Sequence, residues 1–269
     1  MRLLYFFGSI IIVPFLPFLY FQGKRVRAST PRLPEAKGNT GMVKLEGDQE
    51  FRFIFLGESS IAGVGVNHHE EGFAGVFAKE LAEKTNATVH WEVYAKSGYT
   101  LKKIRETIVP VIPDNKVDLI VIGLGANDAF TLNTPWSWQK QSENLVTDLR
   151  SKFEEVTIVF ANMPPIKDFP AFPFLIRFFI GNLVDILGNE LLTTASKFNG
   201  VHYNDKKIRL RDWSTRLNRN GGDFFSDGVH PSKLTYGLWA SELSSFAWEK
   251  AALREKLGDR GTVPVTREK

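Results

Sequence analysis

The sequence predicts an α/β fold in which helices cover both faces of a parallel sheet. Short runs rich in β-branched and aromatic residues alternate with longer segments of helical spacing through most of the chain, and this alternation is typical of parallel sheets with crossover helices. Two of the runs, 117–124 and 156–162, are apolar nearly throughout. Strands buried on both faces have this composition.

Five runs predict strands, and five longer segments predict helices. The predicted strands are 52–57, 88–95, 117–124, 156–162 and 200–203. The predicted helices are 73–85, 101–110, 136–153, 174–197 and a last one from Pro231 to about 256. Proline suits the first position of a helix, because its missing N–H has no partner there in any case.

The composition favours one globular domain. The chain has 269 residues, of which 43% are hydrophobic, and a formal net charge of +4. That charge is modest and is supplied by basic residues near the N-terminus, so we predict no nucleic-acid partner. The chain has no cysteine, which excludes thiolate chemistry, Zn–Cys sites and disulfides.

The N-terminal segment 3–21, LLYFFGSIIIVPFLPFLYF, carries no charge over 19 positions, about the length that crosses a bilayer core. No typical cleavage site follows, so the segment favours an uncleaved single-pass membrane anchor over a removed signal peptide. Basic residues on both sides of it leave the side of the membrane open. We therefore expect an anchor or uncleaved signal at 1–22, a polar linker at 23–48, a domain at 49–256 and a charged tail at 257–269.

Two serines follow Gly57 at the end of the first predicted strand, in FIFLGESSIAGVGV at 53–66. A serine hydroxyl becomes a nucleophile when a neighbouring base takes its proton, and a strand–helix junction exposes it for that purpose. Ser59 is the candidate nucleophile and Ser60 the fallback. A serine that only caps a helix is the alternative, since that position also favours serine.

Three further segments carry groups that a nucleophilic serine requires. In FFSDGVHPS, at 224–232, Asp227 and His230 are three residues apart, so the carboxylate can accept from the imidazole and fix its tautomer. Asn127 follows a buried strand and can donate its side-chain amide to a developing oxyanion. Gly98 can offer its backbone N–H to the same oxygen. Each of these segments is also compatible with an ordinary turn.

The order of these segments resembles the SGNH hydrolase superfamily, also called GDSL esterases and lipases. The resemblance covers roughly residues 50–245. Four of the family's blocks, the first, second, third and fifth, match Gly57-Glu58-Ser59, Gly98, Gly125-Ala126-Asn127-Asp128 and Asp227-Gly228-Val229-His230, respectively. The chain departs from the family at Glu58, where the usual residue is aspartate, which puts the geometry of that loop in question more than the activity.

The resemblance implies a flavodoxin-like, three-layer α/β/α sandwich with a five-stranded parallel sheet. It also implies hydrolysis of carboxylic esters without metal or organic cofactor. Ser59 would then be the nucleophile, His230 the general base and Asp227 its orienting acid. The N–H groups of Ser59 and Gly98 and the side chain of Asn127 would form the oxyanion hole.

The sequence leaves the substrate and the partners open. Acyl groups of lipids and O-acetyl groups of glycans are both compatible, and a thioesterase or acyltransferase would use the same residues. A domain that has lost catalysis and binds a glycan or a protein at the membrane is the rival from another class. The aromatic segment 169–187 could line an acyl pocket, rest on a bilayer or form an ordinary buried helix.

A metal site and an oligomeric state are not indicated by the sequence. His68 and His69 are adjacent, and no third ligand has suggestive spacing, so we predict no metal site.

Overall fold

Six strands form one sheet in the computed structural model, which describes residues 2–251 and 253–258. Residues 259–269 of the expected charged tail lie outside the described residues. The strands are β1 (Thr40–Val43), β2 (Glu50–Gly57), β3 (Thr88–Ala95), β4 (Leu119–Gly123), β5 (Thr157–Phe160) and β6 (Val201–Tyr203). Their order across the sheet is β1-β3-β2-β4-β5-β6.

Helices precede the sheet, connect its strands and cover both of its faces. They are α1 (Arg2–Ile12), α2 (Leu16–Ser29), α3 (Phe73–Thr85), α4 (Leu101–Thr107), α5 (Ala126–Phe130), α6 (Pro135–Lys152), α7 (Phe174–Ala195), α8 (Leu210–Leu217), α9 (Lys233–Lys250) and α10 (Leu253–Gly258). The predicted α/β/α architecture is confirmed.

The side chains of the central strands alternate between two apolar cores, as a period of two requires. Phe53 and Phe55 of β2 enter the core beneath α3 and α9, whereas Ile54 and Leu56 enter the core beneath α4, α6 and α7. All four are buried. The sheet is therefore covered on both faces, which explains the uninterrupted apolar runs in the sequence.

The strand count of five is wrong, because β1 adds a sixth strand that pairs antiparallel with β3. The other five strands are parallel, as expected. β1 lies inside the segment 23–48 that the composition predicts as linker. It has four residues, and Gly41 lies so close to the Trp91 ring that a Cβ there would approach ring carbons to 2.2 Å. A strand so short and glycine-containing leaves no clear signal in the sequence.

The last long helix begins at Lys233 and not at Pro231. The hydroxyl of Ser232 accepts a hydrogen bond from the backbone N–H of Thr235 and caps the helix. Pro231 instead forms a β-bridge with Phe225. Serine in this place satisfies a backbone donor that proline could not.

The N-terminal helices lie along α7. The Arg2 guanidinium donates two hydrogen bonds to the Glu190 carboxylate, at 3.0 and 2.8 Å, and the rings of Phe15 and Phe179 are 5.4 Å apart. Among the described residues, one helix, Tyr5–Ser29, is long and apolar enough to cross a membrane, a test that a signal sequence also passes. Only a short 3₁₀ segment, Val13–Phe15, separates α1 from α2.

Substitution of Phe77 in α3 tests how much the core beneath that helix contributes to stability. Its ring contacts the rings of Phe53, Phe55 and Phe73 and is fully buried. We expect Phe77→Ala to lower the free energy of unfolding by about 3–5 kcal/mol, because it removes apolar contacts and leaves a cavity. Urea titration followed by circular dichroism measures the change. Val111→Ala, at a side chain that is 70% exposed, is the control, with an expected effect below about 0.5 kcal/mol.

Candidate active site

The carboxyl ends of the central parallel strands bring three of the four sequence blocks to one edge of the sheet. Gly57 at the end of β2 is in register with Ala95 of β3 and with Gly123 of β4. The segments that follow these three residues carry Ser59, Gly98 and Asn127. Ligand sites of open parallel sheets lie at this edge.

The carboxylate of Glu58 joins the loop after β2 to the loop after β4. One oxygen accepts from the backbone N–H of Ala126 at 2.9 Å, and the other from that of Asn127 at 3.0 Å. The Glu58 side chain is buried, and its backbone N–H donates to Gly123 O at 3.1 Å. Glutamate at the family's aspartate position therefore binds and orients the start of α5.

Burial raises the pKa of Glu58 to about 7, since a charged carboxylate loses its hydration there. The hydrogen bonds from the Asn127 and Ala126 amides act in the opposite direction and favour the charged form. The residue therefore exchanges its proton near neutral pH.

Ser59 and Ser60 lie in the turn that follows β2 and are half-buried. The carbonyl of Ser59 accepts from the N–H of Val64 at 3.1 Å, and that of Glu58 from Ala62 at 2.9 Å. These bonds give the segment a helical turn and no regular helix. A cavity of about 50 Å³ lies beneath it; its lining includes Ser60, Asn162, Phe169 and Trp239.

Gly98 and Asn127 are linked through Tyr99. The Asn127 amide donates to Tyr99 O at 3.0 Å, which leaves the second N–H of that amide for another acceptor. Gly98 is exposed and has a φ of +80°, a conformation that glycine adopts without strain. The loops after β3 and β4 thus meet at the predicted oxyanion-hole residues.

Asp128 also joins these two loops, a role that the sequence analysis missed. Its carboxylate accepts from Leu101 N at 2.8 Å and from the Asn133 amide at 3.0 Å. The side chain is buried, and burial raises its pKa above the usual range for aspartate. The only available signal was its place next to Asn127 in the third block.

Asp227 and His230 form the hydrogen-bonded pair that the sequence predicts. The His230 Nδ1 lies 2.7 Å from Asp227 Oδ2, and Asp227 Oδ1 accepts from the backbone N–H groups of Val229 and His230. The Asp227 side chain is fully buried, whereas that of His230 is 23% exposed. Burial would raise the pKa of Asp227, but the hydrogen bonds from His230 and Val229 outweigh it and hold the pKa below its usual range.

An ionised Asp227 fixes the protonation of the ring. Since a carboxylate can only accept, Nδ1 must carry the hydrogen of the bond, and the neutral ring then has its free electron pair on Nε2. A ring in this state can take a proton through Nε2.

The loop that carries His230 packs against the loop that carries Ser59. Gly65 lies so close to it that a Cβ there would be 2.4 Å from Pro231 O and 2.5 Å from Ser226 Oγ. The Tyr236 hydroxyl donates to Val64 O at 2.7 Å. The loop that carries Ser59 and the loop that carries His230, which lie far apart in the sequence, are therefore in direct contact.

The described residues contain no group of three or more His, Asp or Glu side chains that could hold a metal ion. His68 is exposed and His69 is buried, so the two adjacent imidazoles do not face one ligand. Burial lowers the pKa of His69 to about 4.

A larger cavity, of about 350 Å³, lies between α7 and the segments 163–168 and 203–209. Asp185 pairs there with Lys167 at 2.8 Å and with Lys207 at 2.9 Å. Its lining is therefore more strongly charged than that of the small cavity.

Comparison with protein families gives a match over most of this region. A model of the GDSL-like lipase/acylhydrolase family matches residues 55–238, a range that contains Ser59, Gly98, Asn127, Asp227 and His230. A search of the curated proteins found no matching relative.

Solved structures share the fold at low sequence identity. The lipase Lip_vut3 from a goat rumen metagenome is 20% identical, with a TM-score of 0.58 over 75% of this chain and 99% of that chain. A lipolytic G-D-S-L protein from Veillonella parvula is 16% identical, with a TM-score of 0.56 over 73% and 98%. A carbohydrate esterase family 2 enzyme from Corynascus thermopiles is also 16% identical, with a TM-score of 0.55 over 85% and 69%.

The buried Glu58 carboxyl makes stability depend on pH in a defined direction. The folded chain keeps this proton up to about pH 7, whereas the unfolded chain releases it near 4.5. Between these values the folded state binds more protons, so stability falls as pH rises. We expect the wild type to lose more unfolding free energy between pH 5 and pH 8 than Glu58→Gln. One pKa unit corresponds to about 1.4 kcal/mol, so the expected difference is roughly 2–3 kcal/mol.

Urea titrations of both proteins at the two pH values measure this difference, and all other titrating groups cancel in the comparison. Glu80→Gln, at a carboxylate on the surface of α3 paired with Lys84, is the control and should follow the wild type. Equal losses in the wild type and Glu58→Gln would contradict the expected protonation.

Proposed function

The chain belongs to the GDSL-like lipase/acylhydrolase family, and we propose that it is a serine esterase attached to a membrane by its N-terminal apolar segment. It hydrolyses carboxylic esters through Ser59, His230 and Asp227. Family membership supports ester hydrolysis in general. Ser59 is assigned from its sequence block, and His230 and Asp227 from their block and their mutual contact.

The main support is the bond between His230 and the buried Asp227, at 2.7 Å. This bond orients the imidazole and leaves Nε2 as the proton acceptor. The loop that holds the pair packs on the loop that holds Ser59 at Gly65, and Tyr236 of the following helix donates to Val64 O. A general base acts on a neighbouring nucleophile, and the match of Gly57-Glu58-Ser59 to the family's first block assigns that role to Ser59.

The proposed reaction is acyl transfer in two steps. The Ser59 oxygen bonds to the ester carbonyl carbon while its proton passes to His230 Nε2, which then protonates the leaving alcohol as the carbon–oxygen ester bond breaks. Water attacks the resulting acyl-serine, again giving its proton to His230. The acid leaves, and the proton returns to the Ser59 oxygen.

The tetrahedral oxyanion of each step needs donors that are already in place. The backbone N–H groups of Ser59 and Gly98 and the free N–H of the Asn127 amide are the proposed donors. Glu58 and Tyr99 O hold Asn127 from two sides, so the donor is oriented before the substrate binds. Such preorganisation avoids the cost of turning a dipole during the reaction.

The acyl group and its carrier are left to experiment. Among the proteins of similar fold, one is a lipase and another a carbohydrate esterase. Lipid acyl esters and O-acetyl esters are therefore the two substrate classes to compare. A thioester substrate, or transfer to an acceptor other than water, would use the same residues. An inactive domain that binds a glycan or protein at the membrane is the rival hypothesis.

A fluorophosphonate probe tests the nucleophile directly. We expect the wild-type chain in detergent to be labelled, and Ser59→Ala to lose labelling and p-nitrophenyl acetate hydrolysis to background. Ser60→Ala is the matched control because it changes the adjacent hydroxyl, and it should keep both. Labelling that depends on Ser60 instead would reassign the nucleophile, and an unlabelled wild type would favour the inactive binding domain.

Removal of the Asn127 donor should slow turnover with little change in substrate binding. We expect Asn127→Ala to lower kcat by about a hundredfold or more, because the donor acts mainly on the transition state. Steady-state kinetics with p-nitrophenyl esters measure kcat and KM. Asn115→Ala, at an exposed asparagine between α4 and β4, is the control. A large rise in KM at unchanged kcat would exclude the proposed role.

A further inference from the structure

Exposed apolar side chains are concentrated on one side of the domain. Outside the N-terminal helices, eight large apolar side chains are exposed among the described residues. Six belong to the region of α5, α6 and α7: Phe130, Leu132, Trp136, Phe174, Phe178 and Leu192. The other two, Met42 and Val111, lie elsewhere. Scattered exposed apolar residues are normal in a soluble protein, whereas a concentrated patch marks an interaction surface.

Ring contacts join this region to the N-terminal helices. Phe174 stacks on Phe178 at 6.0 Å, Phe178 contacts Phe179 at 5.1 Å, and Phe179 contacts Phe15 at 5.4 Å. At the start of α6, the ring of Trp136 lies 5.5 Å from that of Tyr5 in α1. The N-terminal helices expose further apolar side chains, including Phe6, Ile10, Phe18 and Phe21. We call the exposed apolar side chains of α1, α2 and α7 and of the segment 130–136 the apolar face.

The apolar face also reaches the candidate active site. Phe130 at the end of α5 contacts Phe172 at 5.2 Å, just before α7, and Phe169 contacts Phe225 at 5.1 Å. The backbone N–H of Ala171 donates to Gly228 O at 3.2 Å. Gly228 lies between Asp227 and His230, so the segment that leads into α7 is bound to the proposed catalytic loop.

Basic residues border the apolar face at the end of α2. Lys24, Arg25 and Arg27 are exposed and directly follow the apolar stretch. Cations at this position interact favourably with the phosphates of an anionic bilayer, whose surface attracts such clusters. A second protein would need a matching apolar groove, whereas a bilayer accepts an apolar face of any outline.

We propose that the apolar face lies on a lipid bilayer, with Phe174 and Phe178 inserted into its interface, so that the active site receives acyl esters from the membrane. The proposal rests on the proposed esterase function and narrows its substrate to lipid esters. It does not require the side of the membrane to be known.

A fluorophore at position 174 tests the contact without reference to catalysis. Because the chain has no cysteine, Phe174→Cys gives one labelling site, and Val111→Cys gives a control at a side chain of similar exposure, 69% against 70%. The full chains are reconstituted into vesicles of equal parts phosphatidylcholine and phosphatidylglycerol, with or without bromine in the acyl chains. We expect bromine to quench the label at 174 at least twofold and to leave that at 111 unchanged. Absence of quenching at 174, or equal quenching at both positions, would overturn the proposal.

A second measurement connects the surface to activity. The ratio of phospholipid-ester hydrolysis in these vesicles to p-nitrophenyl acetate hydrolysis should fall about tenfold in the double variant Phe174→Ser/Phe178→Ser. The matched control, Met42→Ser/Val111→Ser, should keep the wild-type ratio. An unchanged ratio in the first variant would contradict the proposal while leaving esterase function intact. A wild type that hydrolyses neither ester, but is quenched at 174, would reject the esterase function and leave membrane contact standing.

Discussion

The hydrogen bonds of the buried Glu58 carboxylate are the constraint on which the candidate site depends. They hold the backbone of Ala126 and Asn127 against the loop that carries Ser59. Without them, two loops that leave neighbouring strands would each have to be positioned by its own residues. Instead, one side chain at the end of β2 fixes the direction in which Asn127 points.

Two more buried carboxylates, those of Asp128 and Asp227, also accept hydrogen bonds from backbone N–H groups of the site, and their pKa values are shifted. Asp128 binds the backbone at Leu101, and Asp227 binds its own loop at Val229 and His230. Burial dominates at Glu58 and Asp128 and raises both pKa values, whereas hydrogen bonds dominate at Asp227 and lower it. The one carboxylate that must stay charged to orient an imidazole is thus the one with a histidine partner.

The arrangement of α7 relates the site to the N-terminal segment. Its first residues follow directly after the segment bound to the proposed catalytic loop, and its later residues hold Arg2 through Glu190. A single helix therefore spans the distance between the candidate reaction site and the apolar N-terminus. Attachment to a membrane through the N-terminal segment would therefore orient the domain as well as localise it. The orientation of α7 would then determine how the candidate site lies relative to the bilayer.

The sequence by itself determined the elements whose signal is local. The apolar runs 117–124 and 156–162 predict strands buried on two faces. The spacing of Asp227 and His230 predicts their contact, because three residues in a turn can be bridged directly. Helix α3 and strand β3 were predicted at their observed bounds. Only the tertiary structure decided which separate segments meet. The antiparallel pairing of β1, the bonds from Glu58 to Asn127 and from Asp128 to Leu101, and the apolar face all join residues far apart in the chain. Their partners depend on strand order and on the alignment of strand ends, which no local pattern of residues encodes.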